Sequence, residues 1–247
     1  MIRNIKNLIN KKYFYRVMVT ITIAIIIFLI GMFVLKYNIE GETNIPFTIS
    51  KIAIISSGEG IDKQTSDTKW AFDIYQSNDI FLYLDKNQNY GKTEIIKSVK
   101  IDNIQINAIK KDNIKIYRPE EQEENVIFKN KEENIVQNLE YIGDMQSNLK
   151  QMKISNQGGI IAFRCSNDNL KQFTSNDEEI NHQELLKKAE IIKEDLNANI
   201  TFELILQLEA GKVYKTTINL DLPVEDVIEK GTTSKEIIDL NVKWERL

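Results

Sequence analysis

The stretch Phe202–Leu222, FELILQLEAGKVYKTTINLDL, decides the fold class. Phe202, Leu204, Leu206 and Leu208 recur at every second position up to Glu209-Ala210-Gly211-Lys212, and Tyr214, Thr216, Ile218, Leu220 and Leu222 recur in the same way down to Pro223. Strand side chains change face at each residue, so each arm presents its large apolar groups on one side. The glycine-containing connection reads as a hairpin turn. Two long strands sharing one apolar face need a second layer to cover it, and the expectation is sheet packed on sheet.

The same alternation extends in both directions. Ile45–Ser56 opens with a proline and runs in β-branched residues, a strand signal, whereas the polar Ser57–Lys69, with Gly58 and Gly60, reads as a loop. Trp70, Phe72 and Ile74 alternate with Ala71, Asp73 and Tyr75, and Ser77-Asn78-Asp79 reads as a turn into a strand at Ile80–Leu84. Over Thr93–Ile109 the apolar positions shift from odd (Ile95, Val99, Ile101) to even (Ile104, Ile106), which predicts a bulge near Asp102-Asn103. Lys110–Asn113 is then a turn and Ile114–Tyr117 a short returning strand. Further on, Ser155–Gly159 reads as a turn between Met152–Ile154 and Ile160–Cys165, and the last strand is expected at Ile237–Trp244. Helical spacing occurs at Ile135, Leu139 and Ile142, and again at Leu185, Ala189, Ile192 and Leu196, where Asn181 and Glu184 give a capped start. The expected class is mainly β: an antiparallel β-sandwich-like domain with one short helix.

Ahead of this domain stand nineteen consecutive uncharged residues, Val17–Leu35 (VMVTITIAIIIFLIGMFVL). As a helix they span roughly 28 Å, about the hydrocarbon thickness of a bilayer. Arg3, Lys6, Lys11, Lys12 and Arg16 precede the run, and no acidic residue occurs before Glu40. Cationic flanks stay on the cytoplasmic side, which predicts the N-terminus in and the C-terminus out. Tyr13, Phe14, Tyr15 and Tyr37 suit the two membrane interfaces. A cleaved secretory signal is the competing reading, but its apolar core runs about 7–15 residues ahead of a small-x-small site. The following LKYNIEGETNIP offers no such site, so an uncleaved signal-anchor is the expectation. Gly31 stands alone in the run, so a G-x-x-x-G pairing face is missing. The expected organisation is a basic cytoplasmic tail (1–16), a transmembrane helix (17–35) and an extracytoplasmic domain (38–247). Whether 38–118 and 149–247 form one sandwich or two, around a polar insertion at 119–148, stays open at this level.

The stretch 38–247 holds 26 Lys and Arg against all 36 Asp and Glu, a net charge of −10 beside −4 for the whole chain. An acidic domain disfavours phosphate-backbone binding, which excludes nucleic acid as the expected partner. Cys165 is the only cysteine, so no disulfide forms within the chain.

Catalytic constellations are sparse. His182 is the only histidine and falls in the first turn of the expected helix, as a capping-region residue. Cys165 reads as a small buried hydrophobe at a strand end. One His and one Cys cannot close a zinc site. The acidic runs Glu120–Glu124 and Asp177–Glu179 lack the calcium-loop spacing and read as solvated charge. Ser57-Gly58-Glu59-Gly60 lacks the G-K-[ST] ending of a phosphate loop. Gly231–Glu236 reads as a turn or cap, and Asn199-Ile200-Thr201 is a glycosylation sequon entering a strand. Arg164 shares a strand face with Ile160 and Ala162, and reads as a strand-end side chain reaching water, or as a charge paired inside the domain. No catalytic, metal or cofactor residue is assigned, and the binding residues stay open. The expectation is a non-enzymatic, membrane-anchored binding or assembly module of the cell envelope, partnered by the bilayer through 17–35 and by an envelope protein. A ligand- or carbohydrate-binding sensor, with Trp70, Tyr75 or Tyr83 lining its surface, is one alternative. A glycoside hydrolase with paired carboxylates is the other.

Overall fold

A computed structural model describes residues 2–63, 70–109, 113–120, 127–145, 152–177, 179–238, 240 and 242–247. The chain divides into two compact units, Met1–Thr43 and Asn44–Leu247.

The first unit is a helix, α1 (Ile2–Glu40), whose stretch Tyr13–Glu40 is long and apolar enough to cross a membrane. Its threonines close back on the helix: Thr20 Oγ1 donates to the Arg16 carbonyl at 3.0 Å and Thr22 Oγ1 to that of Met18 at 2.9 Å. That arrangement satisfies both hydroxyls without water.

The second unit is mainly β. Its strands are β1 (Phe47–Asp62), β2 (Trp70–Lys86), β3 (Ile96–Ala108), β4 (Ile114–Tyr117), β5 (Leu139–Asp144), β6 (Lys153–Ser155), β7 (Gly159–Ser175), β8 (Ala198–Leu208), β9 (Val213–Asp221), β10 (Thr232–Ile238) and β11 (Glu245–Arg246). One sheet runs β10-β1-β2-β7-β4 and the other β11-β9-β8-β3-β5-β6. Neighbouring strands are antiparallel except β5 and β6, so the second sheet is mixed. Strands from 38–118 and 149–247 lie side by side in both sheets, β2 against β7 and β3 against β8. The segment 119–148 contributes β5 to the second sheet.

The hairpin forms as its pattern predicts. β8 and β9 pair Phe202 with Ile218, Leu204 with Thr216 and Leu206 with Tyr214. Gly211 takes φ +82°, a left-handed conformation that glycine adopts without steric cost. Lys212 Nζ fastens the turn, 2.5 Å from Glu94 Oε1 and 2.9 Å from the Tyr90 hydroxyl. The apolar face of the hairpin meets the other sheet where Phe163 and Phe202 pack edge to face at 5.4 Å. Ile52, Ile54, Ile80 and Leu82 from one sheet and Val99, Ile101, Leu204 and Leu206 from the other are closed to solvent. Each such side chain contributes roughly 1.5–3 kcal/mol of burial. The bulge in β3 also forms: the register shifts between Asp102 and Gln105, Asn103 has φ +49°, and Ile104 and Ile106 pack on the same core as Val99 and Ile101.

Several expected breaks are continuous strand. β1 runs through Ser57–Gly60 to Asp62, β2 runs through Ser77-Asn78-Asp79, and β7 runs past Cys165 to Ser175. Polar runs on adjacent strands come into register and satisfy one another, so nothing forces the chain to leave the sheet. Residues 64–69 of the expected first loop and 110–112 of the turn before β4 lie outside the described residues. β4 does not return along β3 but joins β7 in the other sheet. The turn Ser155–Gly159 likewise links β6 and β7 in different sheets. The expected helix at Ile135–Ile142 is replaced by β5, where buried Leu139 and Tyr141 alternate with exposed Glu140 and Ile142 at period two. Of the last expected strand, Ile237–Trp244, residues 239 and 241 lie outside the described residues; β10 takes in Ile237 and Ile238 and ends there, and among the described residues beyond it Glu245–Arg246 rejoins a sheet.

The single expected helix is broken. Asn181 does cap it, accepting from the Gln183 amide at 3.1 Å, and a 3-10 turn over His182–Glu184 leads into α2 (Leu185–Lys188). Glu190 then takes φ +53°, and the chain restarts as α3 (Lys193–Leu196); a third short helix, α4 (Val227–Lys230), follows β9. These helices cover the end of the first sheet and form a second apolar cluster with Phe72, Ile74 and Leu170. Gly58 permits the contact, because a Cβ there would overlap the buried Leu186 side chain.

Candidate functional site

The long sheet carries a polar belt. Register places Ser56 opposite Asn78 and Asn78 opposite Cys165, with Ser57, Ser77 and Ser166 in the next row. On the inner face Ser56 Oγ donates to Asn78 Oδ1 at 2.5 Å, and Asn78 Nδ2 donates to the Cys165 carbonyl at 3.2 Å. Ser56, Gln76, Asn78 and Asn167 are all buried, between the core of the sandwich and the cluster under the short helices. Asn167 Oδ1 is buried there without a hydrogen-bond partner.

The outer face of the belt is richer in charge. Arg164 is not a strand-end residue: its side chain is 11% exposed and grips Asp79 with two bonds, Nε to Oδ1 at 2.6 Å and Nη2 to Oδ2 at 3.0 Å. Its Nη1 donates to Asn130 Oδ1 at 3.0 Å, and the guanidinium lies 5.2 Å from the Phe128 ring centre. Burial raises the Asp79 carboxyl above its usual range even with the guanidinium opposing it. Glu59 is the counter-case: burial pushes its carboxyl up, but Tyr75, Ser57 and Ser77 donate to it at 2.5, 2.7 and 3.1 Å and hold it below the usual range. Asp168 receives Tyr117 Oη and Ser166 Oγ, each at 2.7 Å, and pairs with Lys115 at 3.4 Å.

These groups shape the wall of a cleft of about 420 Å³ on the outer face, lined by Ile61, Asp73, Tyr75, Lys115, Tyr117 and Asp168, with Lys63, Asn130, Glu132 and Asn169 around them. A backbone irregularity opens it. Between the pairs Ile74–Lys171 and Gln76–Asn167, Tyr75 faces three residues of β7, Asp168–Leu170, and Asn169 takes φ +55°. Asp168 keeps the outward phase of Arg164 and Ser166, and the bulge that follows returns Leu170 to the inner cluster, as bulges re-aim side chains. A second cleft, about 520 Å³, lies by α3 and is lined by Asn107, Lys193, Asn199, Asp221, Glu225 and Lys235 among others. The bonds of Asn199 to Asn219 and Asp221 there are made by exposed side chains.

The residues singled out in the sequence are scattered. His182 is exposed and edges onto Phe72 at 5.8 Å. Cys165 is mid-strand and 1% exposed, and burial pushes its thiol up to about 12. Trp70 and Tyr83 sit at opposite ends of β2, Trp70 stacked on Phe72 and Tyr83 under Lys51. Only Tyr75 of the three aromatic candidates lines the cleft. Glu120 is no solvated charge: Asn134 donates to it at 2.9 Å, Lys129 and Lys131 flank it, and together they hold its carboxyl at about 2. Residues 121–124 and 178 of the two acidic runs lie outside the described residues. Glu59, within the rejected phosphate-loop motif, belongs to the belt, while Gly231 ends α4 in a left-handed conformation and Thr232 begins β10. Sequence reasoning missed Asp168, Tyr117 and Asn130. The run Asn167-Asp168-Asn169 was the available signal, since two asparagines around an aspartate suit a bulge as well as a loop. Comparison with protein-family models, with curated proteins and with solved structures returned no match.

Proposed function

We propose that the chain is a non-enzymatic binding module of the cell envelope, tethered by Val17–Leu35 with its N-terminal tail in the cytoplasm and its sandwich displayed outside. The observation that supports this most is the outer-face cleft, whose walls are fixed by the hydrogen-bonded belt behind it. Preordered walls lower the entropic cost of binding. The carboxylates of the belt favour binding over proton transfer: Glu59, Asp79 and Asp168 are each committed to two or more donors. A general acid or base needs a proton it can exchange with substrate. The helix contributes location, being the one segment of the described chain long and apolar enough to cross a membrane.

A photo-cross-linking residue replacing exposed Asn169 at the cleft rim, in native membranes, tests this reading. A discrete adduct is expected from position 169 and none from the same residue placed at Glu245, on the other sheet. Equal or absent labelling at both positions contradicts it.

A further inference from the structure

We infer that Lys235 keeps the open edge of the first sheet from pairing with a second copy of this chain, a property separate from the binding-module reading. A strand at the edge of a sheet carries backbone N–H and C=O groups with no ladder partner, a template for another chain. Three of the four edge strands are short: β4 has four residues, β6 three and β11 two. β4 is also partly covered, by a bridge from Tyr117 to Ile135 and by the Val136 amide, which donates to the Ile116 carbonyl at 2.9 Å. β10 differs. It pairs with β1 over most of its seven residues, Lys51–Ser57 matching Ile238–Thr232, and among the described residues no strand lies on its other side. Thr232, Thr233, Ile237 and Ile238 are β-branched, and Ile238 is 64% exposed, so the edge has the composition of a pairing strand.

That composition is interrupted by a lysine on the side where charge is least tolerated. Residues directly opposite across an antiparallel pair share a face. Ile237 stands opposite Ile52 and packs on the core, and Lys235 stands opposite Ile54, which is closed to solvent. Lys235 therefore lies on the core-facing side of β10, where it is exposed and lines the second cleft. Glu236, on the other face, is taken by Lys51 at 3.0 Å. Two copies joined edge to edge about a two-fold axis form an antiparallel pair. The register that uses all of β10 sets Lys235 against Lys235, with Ile237 opposite Thr233. Sliding by two residues toward Ile238 sets Glu236 against Glu236, and sliding the other way leaves Ile237 and Ile238 outside the ladder. Like charges directly opposite are destabilising, and an ammonium enclosed between two core-side faces loses its water. An inward-pointing charge on an edge strand is one of the devices by which sheets avoid edge-to-edge association.

The test compares the parent chain with Lys235→Val and Lys235→Glu, each full length in detergent, by sedimentation velocity and by amide exchange along β10. Lys235→Val is expected to associate about tenfold more tightly than the parent between roughly 1 and roughly 100 µM, with slower exchange over Thr232–Ile238 at the higher concentration. Lys235→Glu keeps a charge at the same place and is expected to behave as the parent does. The melting temperatures of all three at the lowest concentration are expected to coincide, because the side chain is exposed. Association through the helix leaves β10 exchange unchanged, which separates it from pairing along the edge. Lys235→Val that folds but associates no more than the parent, or associates with β10 exchange unchanged, overturns the inference. So does Lys235→Glu associating as Lys235→Val does, or a parent whose β10 already exchanges more slowly as its concentration rises.

Discussion

Arg164 shares its strand with Phe163 and Cys165, both closed to solvent, yet it is kept charged by a two-point grip on Asp79 and by Asn130. Truncating one member of such a pair strands the other charge in a poorly solvated place. Arg164→Ala is therefore expected to lose about 3–5 kcal/mol in urea unfolding. Adding Asp79→Leu is expected to restore part of that loss; a deficit below about 1 kcal/mol for the single change contradicts a buried pair. Glu59 gives a pH signature. Its folded carboxyl lies below the usual range, so its stabilisation is complete above the ordinary carboxylate pKa and disappears as pH falls through the folded value. Asp79, raised in the fold, contributes with the opposite sign. Glu59→Gln should therefore be less stable than the parent at pH 7, with a gap that closes on acidification; a gap independent of pH contradicts the assignment. Arg164 on a strand beside apolar residues was legible as unusual from sequence alone. Its partner was not, because Asp79 is 85 positions away and sits in a run that reads as a turn.

Elements whose side chains are apolar at one period were readable: the β8–β9 hairpin, the start of β1 and the bulge in β3 all follow from alternation. The central lengths of β1, β2 and β7 were not readable, because Ser, Asn, Gly and Asp are loop-favouring in isolation. Their strand conformation depends on meeting like residues across the sheet, Ser57 beside Ser77 beside Ser166. That is tertiary information. β5 shows the other limit, since Ile135, Leu139 and Ile142 fit a helical period as well as a partly buried strand. Glycine sets the close approach of elements at Gly143 as it does at Gly58: a Cβ on Gly143 of β5 would run into the Ile96 carbonyl of β3. Backbone cannot swing aside as a side chain does, so Gly143→Ala is expected to cost roughly 1–3 kcal/mol. Its effect should appear as faster amide exchange along β3 and β5; unchanged exchange there contradicts the packing.

At the scale of the molecule, the belt separates two apolar clusters that share one sheet. The sandwich cluster lies between two sheets, whereas the other is roofed only by one-turn helices, which have little stability of their own. Hydrogen exchange should therefore show Gly58–Asp62, Phe72–Ile74 and Leu185–Leu196 opening as a unit at lower free energy than β8 and β9. Leu186→Ala should lower that opening energy without moving the exchange of the hairpin. Uniform exchange across both clusters contradicts the division.

The central claim, an outward-displayed domain held by an uncleaved helix, can be read with one thiol reagent, because the native Cys165 is buried and its thiol is pushed up to about 12. Ala210→Cys, at the exposed hairpin turn, and Asn4→Cys, in the N-terminal tail, are labelled in intact cells with a membrane-impermeant maleimide. Position 210 is expected to label without lysis and position 4 only after it, both on a full-length product that stays with membranes through carbonate washing. Labelling at position 210 only after lysis, or on a soluble product beginning beyond Leu35, contradicts it.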